Sequence, residues 1–160
     1  MSKVNVIIPA FNEENGIGKV IREIPKDIIA EIIVVNNAST DRTEKVAQEN
    51  GATVLREPTP GYGRACLKGI EYLRQLPVPP DIVVFLDADH SDYPEEVREL
   101  INPILENKAD LVIGSRALGN KEKGSMTPQQ TFGNWLATRL LKIIYGATCT
   151  DLGPFRAVRF

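Results

Sequence analysis

Two aspartates separated by one residue follow an apolar run. Asp87 and Asp89 come directly after residues 81–86, and His90 follows them. Two carboxylates at i and i+2 after a strand can point the same way and hold a hard divalent cation, Mg²⁺ or Mn²⁺, which takes its other ligands from water and substrate phosphates. His90 is either a further ligand or an orienting group. The pattern therefore predicts a metal site that receives a diphosphate.

These carboxylates need a strand to carry them, and short β-branched runs alternate with helical patterns along the chain. The predicted strands are residues 4–9, 31–35, 52–55, 81–86 and 110–114, and the predicted helices are 16–24, 41–50, 62–76, 94–106 and 128–145. We expect the second, fourth and fifth strands to be buried on both faces. We also expect residues 39–41 to cap the second helix, with Gly51 at its end. This order predicts an α/β fold, a mostly parallel, doubly wound sheet with helices on both faces.

Polar residues follow four of the five predicted strands. They are residues 9–14, residues 36–41, residues 87–92, and Ser115 with Arg116. Ligands bind such sheets beyond the carboxyl ends of the strands. A shared site at this edge is therefore predicted, and the Gly61-Tyr62-Gly63-Arg64 turn before a helix is either a phosphate-binding loop or a plain turn.

Composition excludes several classes of protein. The chain has 160 residues, 42% hydrophobic and 25% charged, which predicts one globular domain. Residues 1–120 hold 13 basic and 19 acidic side chains, and this excess of negative charge argues against nucleic acid as a partner. Residues 121–160 hold 6 basic and 2 acidic side chains, and this excess of positive charge suits anionic lipid or a phosphorylated substrate. The two cysteines, 66 and 149, form no ligand cluster and favour a reducing compartment. Neither a signal peptide nor a membrane span is predicted.

Six stretches together resemble the family 2 glycosyltransferases with the GT-A fold, in particular the branch of polyprenyl-phosphate sugar transferases. They are residues 4–14 (VNVIIPAFNEE), 31–43 (EIIVVNNASTDRT), 61–70 (GYGRACLKGI), 83–97 (VVFLDADHSDYPEEV), 110–116 (DLVIGSR) and 151–159 (DLGPFRAVR). The resemblance implies a metal-dependent, inverting enzyme. Its donor would be a UDP- or GDP-sugar, and its acceptor a polyprenyl phosphate or a cell-envelope glycan.

The resemblance also implies roles for individual residues. Pro9, Phe11, Glu13 and Asn36 would embrace the nucleotide, with Gly63 and Arg64 near a phosphate, Asp87 near the ribose or diphosphate, and Asp89 as metal ligand beside Asp87. Arg116 would neutralise diphosphate charge, since its planar fork suits phosphate oxygens. Asp151 lies at the position nearest the acceptor. It would act as general base for a hydroxyl acceptor, and would orient acceptor or metal for a phosphate acceptor, which is already anionic.

The sequence departs from this family at two places. Asn36 stands where many members have Asp, which leaves the identity of the base open because Asn donates as well as accepts hydrogen bonds. The chain stops at Phe160, where members typically run on, so it is expected to be a truncated or a minimal form whose donor binding survives better than turnover. A non-catalytic nucleotide-sugar-binding domain and a sugar-phosphate nucleotidyltransferase are the alternatives. Residues 9–14 lack the glycines that the latter would favour.

The predicted organisation is one domain over residues 1–160. Residues 1–116 would bind the nucleotide-sugar, 117–127 would form a mobile loop, and 128–160 would begin the acceptor portion. The helix 128–145 carries an apolar face with Arg139 and Lys142 elsewhere. That face would pack on the core, lean on lipid or form a homodimer. The protein is expected in the cytoplasm, at the inner face of the membrane if the acceptor is a lipid.

Overall fold

The computed structural model describes residues 2–114 and 153–160. By its internal contacts the chain divides into two compact units, Met1–Val112 with Phe155–Phe160, and Ile113–Pro154. The predicted loop 117–127 and helix 128–145, as well as Arg116 and Asp151, lie outside the described residues. The division of the chain at residues 116 and 127 therefore stays a prediction.

Six strands within the described ranges form one sheet, in the order β3-β2-β1-β4-β6-β5. They are β1 (Val4–Ala10), β2 (Glu31–Asn36), β3 (Thr53–Arg56), β4 (Ile82–Phe85), β5 (Leu111–Ile113) and β6 (Arg156–Arg159). β1 pairs in parallel with β2 and with β4, and β2 pairs in parallel with β3, whereas β6 is antiparallel to β4. The predicted α/β fold with a mostly parallel sheet is confirmed.

Helices cover both faces of this sheet, as predicted. They are α1 (Ile17–Glu23), α2 (Thr43–Glu49), α3 (Tyr62–Arg74) and α4 (Val97–Leu105). Side chains alternate along a strand, so Val6 and Ile8 of β1 join a core cluster with α1 and α4, while Ile7 joins a second cluster with α3. Every residue of β1 is buried, including Asn5, as expected for a central strand covered on both faces. No helix of the described ranges is long and apolar enough to cross a bilayer.

Several local predictions are wrong. Helix α2 begins at Thr43 rather than at Asp41, because the Asp41 carboxylate stays outside the helix and accepts the N–H of Thr43 at 2.9 Å. The predicted helix 94–106 is divided into a 3₁₀ turn, Pro94–Glu96, and α4. β5 is not buried on both faces, since Leu111 is 53% exposed and its other residues are half-buried. Strand β6, which lies between β4 and β5, was not predicted.

Candidate active site

A cavity of about 320 Å³ opens at the carboxyl ends of β1, β2 and β4. The loops that follow these strands form its wall together with the start of α3. It is lined by Pro9, Ala10, Phe11, Glu13, Asn37, Pro60, Gly61, Tyr62, Asp87, Ala88 and Asp89. This is the edge at which parallel α/β sheets bind their ligands, and the volume suits a small molecule.

Hydrogen bonds join the loop after β1 to the loop after β2. The Asn12 N–H donates to Ser39 Oγ at 3.0 Å, and the Glu13 N–H donates to Thr43 Oγ1 at 2.7 Å. In the opposite direction, the Thr40 N–H donates to Asn12 Oδ1 at 2.8 Å. Because the bonds run both ways, the two loops form one fixed wall of the cavity before any ligand binds.

Asp41 strengthens this connection. Its Oδ2 accepts the N–H of Glu14 at 3.1 Å, and its Oδ1 accepts the hydroxyl of Thr43 at 2.5 Å. Burial raises the pKa of Asp41, but the hydrogen bonds from Thr43 and Glu14 outweigh burial and leave that pKa below its ordinary value. Ionised Asp41 therefore anchors both loops.

Asn37, directly after β2, lines the cavity and is 6% exposed. Its Nδ2 donates to the backbone oxygens of Glu57 at 3.1 Å and Thr59 at 2.8 Å. Its Oδ1 accepts the N–H of Gly61 at 2.7 Å. Asn37 thereby holds the segment that brings Pro60 and Gly61 to the cavity.

Asn36 has different surroundings, because successive residues of a strand point to opposite faces. Its Nδ2 donates to Glu44 Oε2 at 3.0 Å, and its Oδ1 accepts the N–H of Ser39 at 3.1 Å. Arg56 hydrogen-bonds to Glu44 and lowers the pKa of that carboxylate; burial opposes this and Asn36 assists it. Asn36 is not among the residues that line the cavity. It supports the loop after β2, which contributes Asn37 to the cavity wall.

The Asp87-Ala88-Asp89 segment lies in the cavity wall. Asp89 Oδ1 accepts the N–H of Ser91 at 2.9 Å. His90 has a left-handed backbone, with φ of 64°, and its Nε2 lies 2.6 Å from Glu23 Oε2 at the end of α1. His90 thus ties the turn after β4 to α1.

Negative charge accumulates at this edge of the sheet. Partial burial raises the pKa of Glu13, and the charges of Asp89 and Asp41 raise it further. Among residues 2–114 and 153–160, no group of three or more His, Cys, Asp and Glu side chains is arranged to hold a metal ion. Oxygen donors in surroundings of excess negative charge nevertheless fit a hard cation that takes its other ligands from a bound phosphate.

Arg156 contributes a positive charge to the same region. Tyr62 opens α3 and lines the cavity. Partial burial raises the pKa of Tyr62, and the charge of Asp87 adds to the rise while Arg156 opposes it. Burial also raises the pKa of the Cys66 thiol, and Arg156 again opposes the rise. Strand β6 therefore carries a cation to the surroundings of the cavity.

The structure brings some of the predicted site residues together and leaves others apart. The predicted residues that line the cavity are Pro9, Phe11, Glu13, Asp87 and Asp89. Gly63 and Arg64 lie in the first turn of α3 and are not among the residues that line the cavity. Arg116 and Asp151 lie outside the described ranges.

Sequence reasoning placed the segments 9–14, 36–41, 61–64 and 87–92 near the site but gave no individual role to several residues that the structure brings to it. They are Ala10, Asn37, Pro60, Gly61, Tyr62 and Ala88 in the cavity wall, and Arg156 beside it. A usable signal existed for Asn37, because strand alternation separates it from Asn36. Arg156 lies in the family-like segment 151–159, but no local pattern indicates its position, since that depends on a distant strand pairing.

Comparison with known proteins identifies the family. Residues 5–160 match the model of glycosyl transferase family 2. The chain belongs to glycosyl transferase family 2. This family 2 chain is 37% identical over 153 residues to the low-salt glycan biosynthesis hexosyltransferase Agl6 of Haloferax volcanii, a match that covers 92% of the chain and 36% of Agl6. It is 28% identical to the UDP-N-acetylglucosamine–dolichyl-phosphate N-acetylglucosaminyltransferase of Methanococcus voltae, covering 92% of the chain and 65% of that protein.

Solved structures agree with this membership and with the GT-A fold. Glucosyl-3-phosphoglycerate synthase from Mycobacterium tuberculosis, in complex with Mn²⁺, UDP-glucose and phosphoglyceric acid, matches with a TM-score of 0.75 and 28% identity. The match covers 99% of this family 2 chain and 56% of the synthase. The chain thus spans less than two thirds of the length of each of these three relatives.

Proposed function

We propose that this chain binds a UDP- or GDP-sugar and transfers the sugar, with inversion, to a polyprenyl phosphate or a cell-envelope glycan. The observation that carries the proposal is the cavity at the carboxyl edge of the sheet, whose wall contains Asp87, Asp89 and the exposed ring of Phe11. An aromatic surface and a carboxylate pair within one cavity suit the two ends of a nucleoside diphosphate. The UDP-glucose and Mn²⁺ complex of the mycobacterial synthase supports this assignment.

The nucleotide would lie against the wall formed by the loops after β1 and β2. Phe11 is 57% exposed and offers its ring to the base, beside Pro9. Asn37 lies in that wall, and its amide is already used to hold residues 57–61. Asn36 would act by supporting the loop, with its amide on Glu44. Gly63 and Arg64, at the start of α3, would approach the phosphates when the donor enters the cavity.

Asp87 and Asp89 are the residues that would hold Mg²⁺ or Mn²⁺. When bound, the cation offsets the negative charge that grows on the nucleoside diphosphate as it leaves. The Ser91 N–H fixes one oxygen of Asp89, so the carboxylate is oriented before the donor arrives. Burial and the charges of Asp89 and Asp41 raise the pKa of Glu13 on the neighbouring loop, and such an accumulation of carboxylates favours a cation at this edge.

The transfer breaks the bond between the anomeric carbon and the diphosphate oxygen, while an acceptor oxygen attacks the opposite face of the sugar. Arg116 would share in neutralising the leaving diphosphate. Asp151 would take the proton of a hydroxyl acceptor or orient a phosphate acceptor. Both assignments rest on the family resemblance of the segments 110–116 and 151–159.

The acceptor we favour carries a phosphate. The Methanococcus voltae relative is named for dolichyl phosphate, and the mycobacterial synthase was solved with phosphoglyceric acid. A phosphate acceptor needs no general base because it is already ionised. A polyprenyl phosphate would place the protein at the cytoplasmic face of a membrane, and the segment 128–145, predicted from the sequence to be a helix, would touch lipid or a second copy of the chain.

Calorimetry with UDP, GDP and their sugars, each with and without Mn²⁺, tests donor binding. Asp89→Asn should abolish the dependence of nucleotide affinity on Mn²⁺, whereas Asp27→Asn, a carboxylate paired with Arg98 on the surface, should leave it unchanged. Sugar transfer to a short-chain polyprenyl phosphate then tests the reaction. Equal Mn²⁺ dependence in the Asp89 variant contradicts the metal assignment, and binding without transfer or donor hydrolysis favours a non-catalytic domain.

A further inference from the structure

Arg156 is fixed beside the strand that leads into the Asp87-Ala88-Asp89 segment. It opens β6, which runs antiparallel to β4, and pairs in register with Phe85. Its guanidinium carbon lies 5.3 Å from the centre of the Phe85 ring. Phe85 is only 7% exposed, so this stacking orients the guanidinium against a rigid surface.

The stacked guanidinium and Asp87 lie on the same side of the sheet. Phe85 belongs to the core cluster that packs under α3. The Leu86 N–H still donates to Ile7 O, so the chain stays extended beyond β4, and residues 85 and 87 share a face. Tyr62, at the start of α3, lies on this side as well and lines the cavity together with Asp87.

The electrostatics of two further groups agree with this placement. Asp87 and Arg156 act with opposite sign on the pKa of Tyr62, and they do so again on that of Cys66. Both charges therefore act on the start of α3, where Tyr62 and Cys66 lie. Arg156 itself is not among the residues that line the cavity, and it lies over the ring of Phe85, two residues before Asp87.

We propose that Arg156 is a positioning residue of the donor site. Its fixed positive charge orients Asp87 and offsets the negative charge of the carboxylate pair. This lowers the electrostatic repulsion between the pair and a nucleoside diphosphate. This inference rests on the proposed function. It assigns to β6 a role in donor affinity besides its place in the sheet. It also gives the carboxylate pair a cation that is present before any metal binds.

The charge of Arg156 should have opposite effects on the two kinds of ligand. Arg156→Met should weaken the binding of UDP without metal by roughly three- to tenfold, because a cation near a diphosphate is lost. The same variant should bind Mn²⁺ alone as tightly as the wild type or more tightly, since a like charge near the carboxylates is removed. A merely structural role moves neither affinity in this way. Arg156→Lys keeps the charge and should restore most of the UDP affinity.

Arg159 offers a matched control on the same strand. It is tied to Asp110 at 2.6 Å, to Ile104 O at 2.8 Å and to Asn107 at 3.1 Å. Arg159→Met should lower stability and leave both affinities unchanged. UDP and Mn²⁺ binding are measured by calorimetry on the full chain, with circular dichroism as the check of folding. If Arg156→Met does not fold, Arg156→Gln takes its place and its results are interpreted in the same way.

The outcomes divide clearly. Weaker UDP binding that Lys restores, with Mn²⁺ binding not weakened, supports the inference. Unchanged UDP affinity, a loss equal to that of Arg159→Met, a loss that Lys does not restore, or weaker Mn²⁺ binding overturns it. A wild-type chain that binds neither UDP nor GDP overturns the proposed function instead, which keeps the two failures distinct.

Discussion

The backbone carbonyl oxygen of Ala88 lies 2.5 Å from the point where a Cβ atom on Gly16 would stand. Gly16 precedes α1 and is buried, and Ala88 is the middle residue of the Asp87-Ala88-Asp89 segment. Real Cβ atoms essentially never approach an atom so closely. The absence of a side chain at Gly16 therefore allows the segment to pack against the start of α1.

Gly16→Ala should move this segment. Because the obstructing atom is backbone, either the turn after β4 or the start of α1 must shift. We expect the affinity for UDP with Mn²⁺ to fall roughly ten- to a hundredfold, about 1.4–2.8 kcal/mol, because the carboxylates of the segment are displaced. The free energy of unfolding should fall by about 1–3 kcal/mol. Calorimetry and urea denaturation measure the two effects.

Gly69→Ala is the control for this variant. A Cβ at Gly69 would stand 2.8 Å from Ile7 Cγ2, in the core between α3 and β1. It should destabilise the fold by a similar amount and leave ligand affinity unchanged in the folded protein. Equal losses of affinity in the two variants would show that Gly16 has no special relation to the carboxylates.

Replacing Ala38 with glycine should stabilise the fold. Its φ of 60° lies in the left-handed region, which costs a residue with a side chain about 1–2 kcal/mol. Glycine loses more backbone entropy on folding, about 0.5–1 kcal/mol, so Ala38→Gly should raise the free energy of unfolding by up to about 1.5 kcal/mol. Urea denaturation measures the gain. Ala52→Gly, outside the left-handed region, should lower stability instead.

The sequence predicts the elements whose patterns are local. Ile33, Val34 and Val35 of β2 lie in an unbroken apolar run, and the structure buries them on both faces of the sheet, as predicted. Because parallel strands end at one edge, the polar residues after β1 and β4 could be assigned to a common site. Pro9, Phe11, Glu13, Asp87 and Asp89 do line one cavity.

The remaining features depend on tertiary pairing. Arg156 reaches the surroundings of Asp87 only because β6 inserts beside β4, more than 70 residues away in the chain. No periodicity within four residues of β6 specifies that neighbour. Strand alternation places Asn36 and Asn37 on opposite sides, but which of the two sides faces the cavity depends on the tertiary packing of the sheet. Arg116 and Asp151, whose assignment came from family resemblance, stay predictions.

Protonation of Glu44 at low pH should lower the free energy of unfolding. The hydrogen bonds from Arg56 lower the pKa of this carboxylate below 4.5, so its contribution to stability is present above pH 4.5 and is lost as the pH falls through the lowered value. Glu44→Gln should therefore be less stable than the wild type at pH 7, with a difference that shrinks in acid. Urea denaturation at several pH values tests this. Glu49→Gln, on the same helix with a 3.8 Å pair to Lys45, should change little.

Asn37→Asp should separate the roles of the two asparagines. The carboxylate keeps the shape of the amide but cannot donate, so it faces the backbone oxygens of Glu57 and Thr59 with unpaired negative charge. We expect a loss of about 2–3 kcal/mol in the free energy of unfolding and a release of Pro60 and Gly61 from the cavity. UDP affinity, measured by calorimetry on the folded protein, should fall with it.

Asn36→Asp is the matched comparison, because its carboxylate would face that of Glu44 in the same way. It should cost stability of similar size, yet change UDP affinity less, since Asn36 is not among the residues that line the cavity. If Asn36→Asp instead weakens UDP binding more than Asn37→Asp does, Asn36 contacts the nucleotide directly. In that case the amide must leave Glu44 when the donor binds, and the loop after β2 must rearrange.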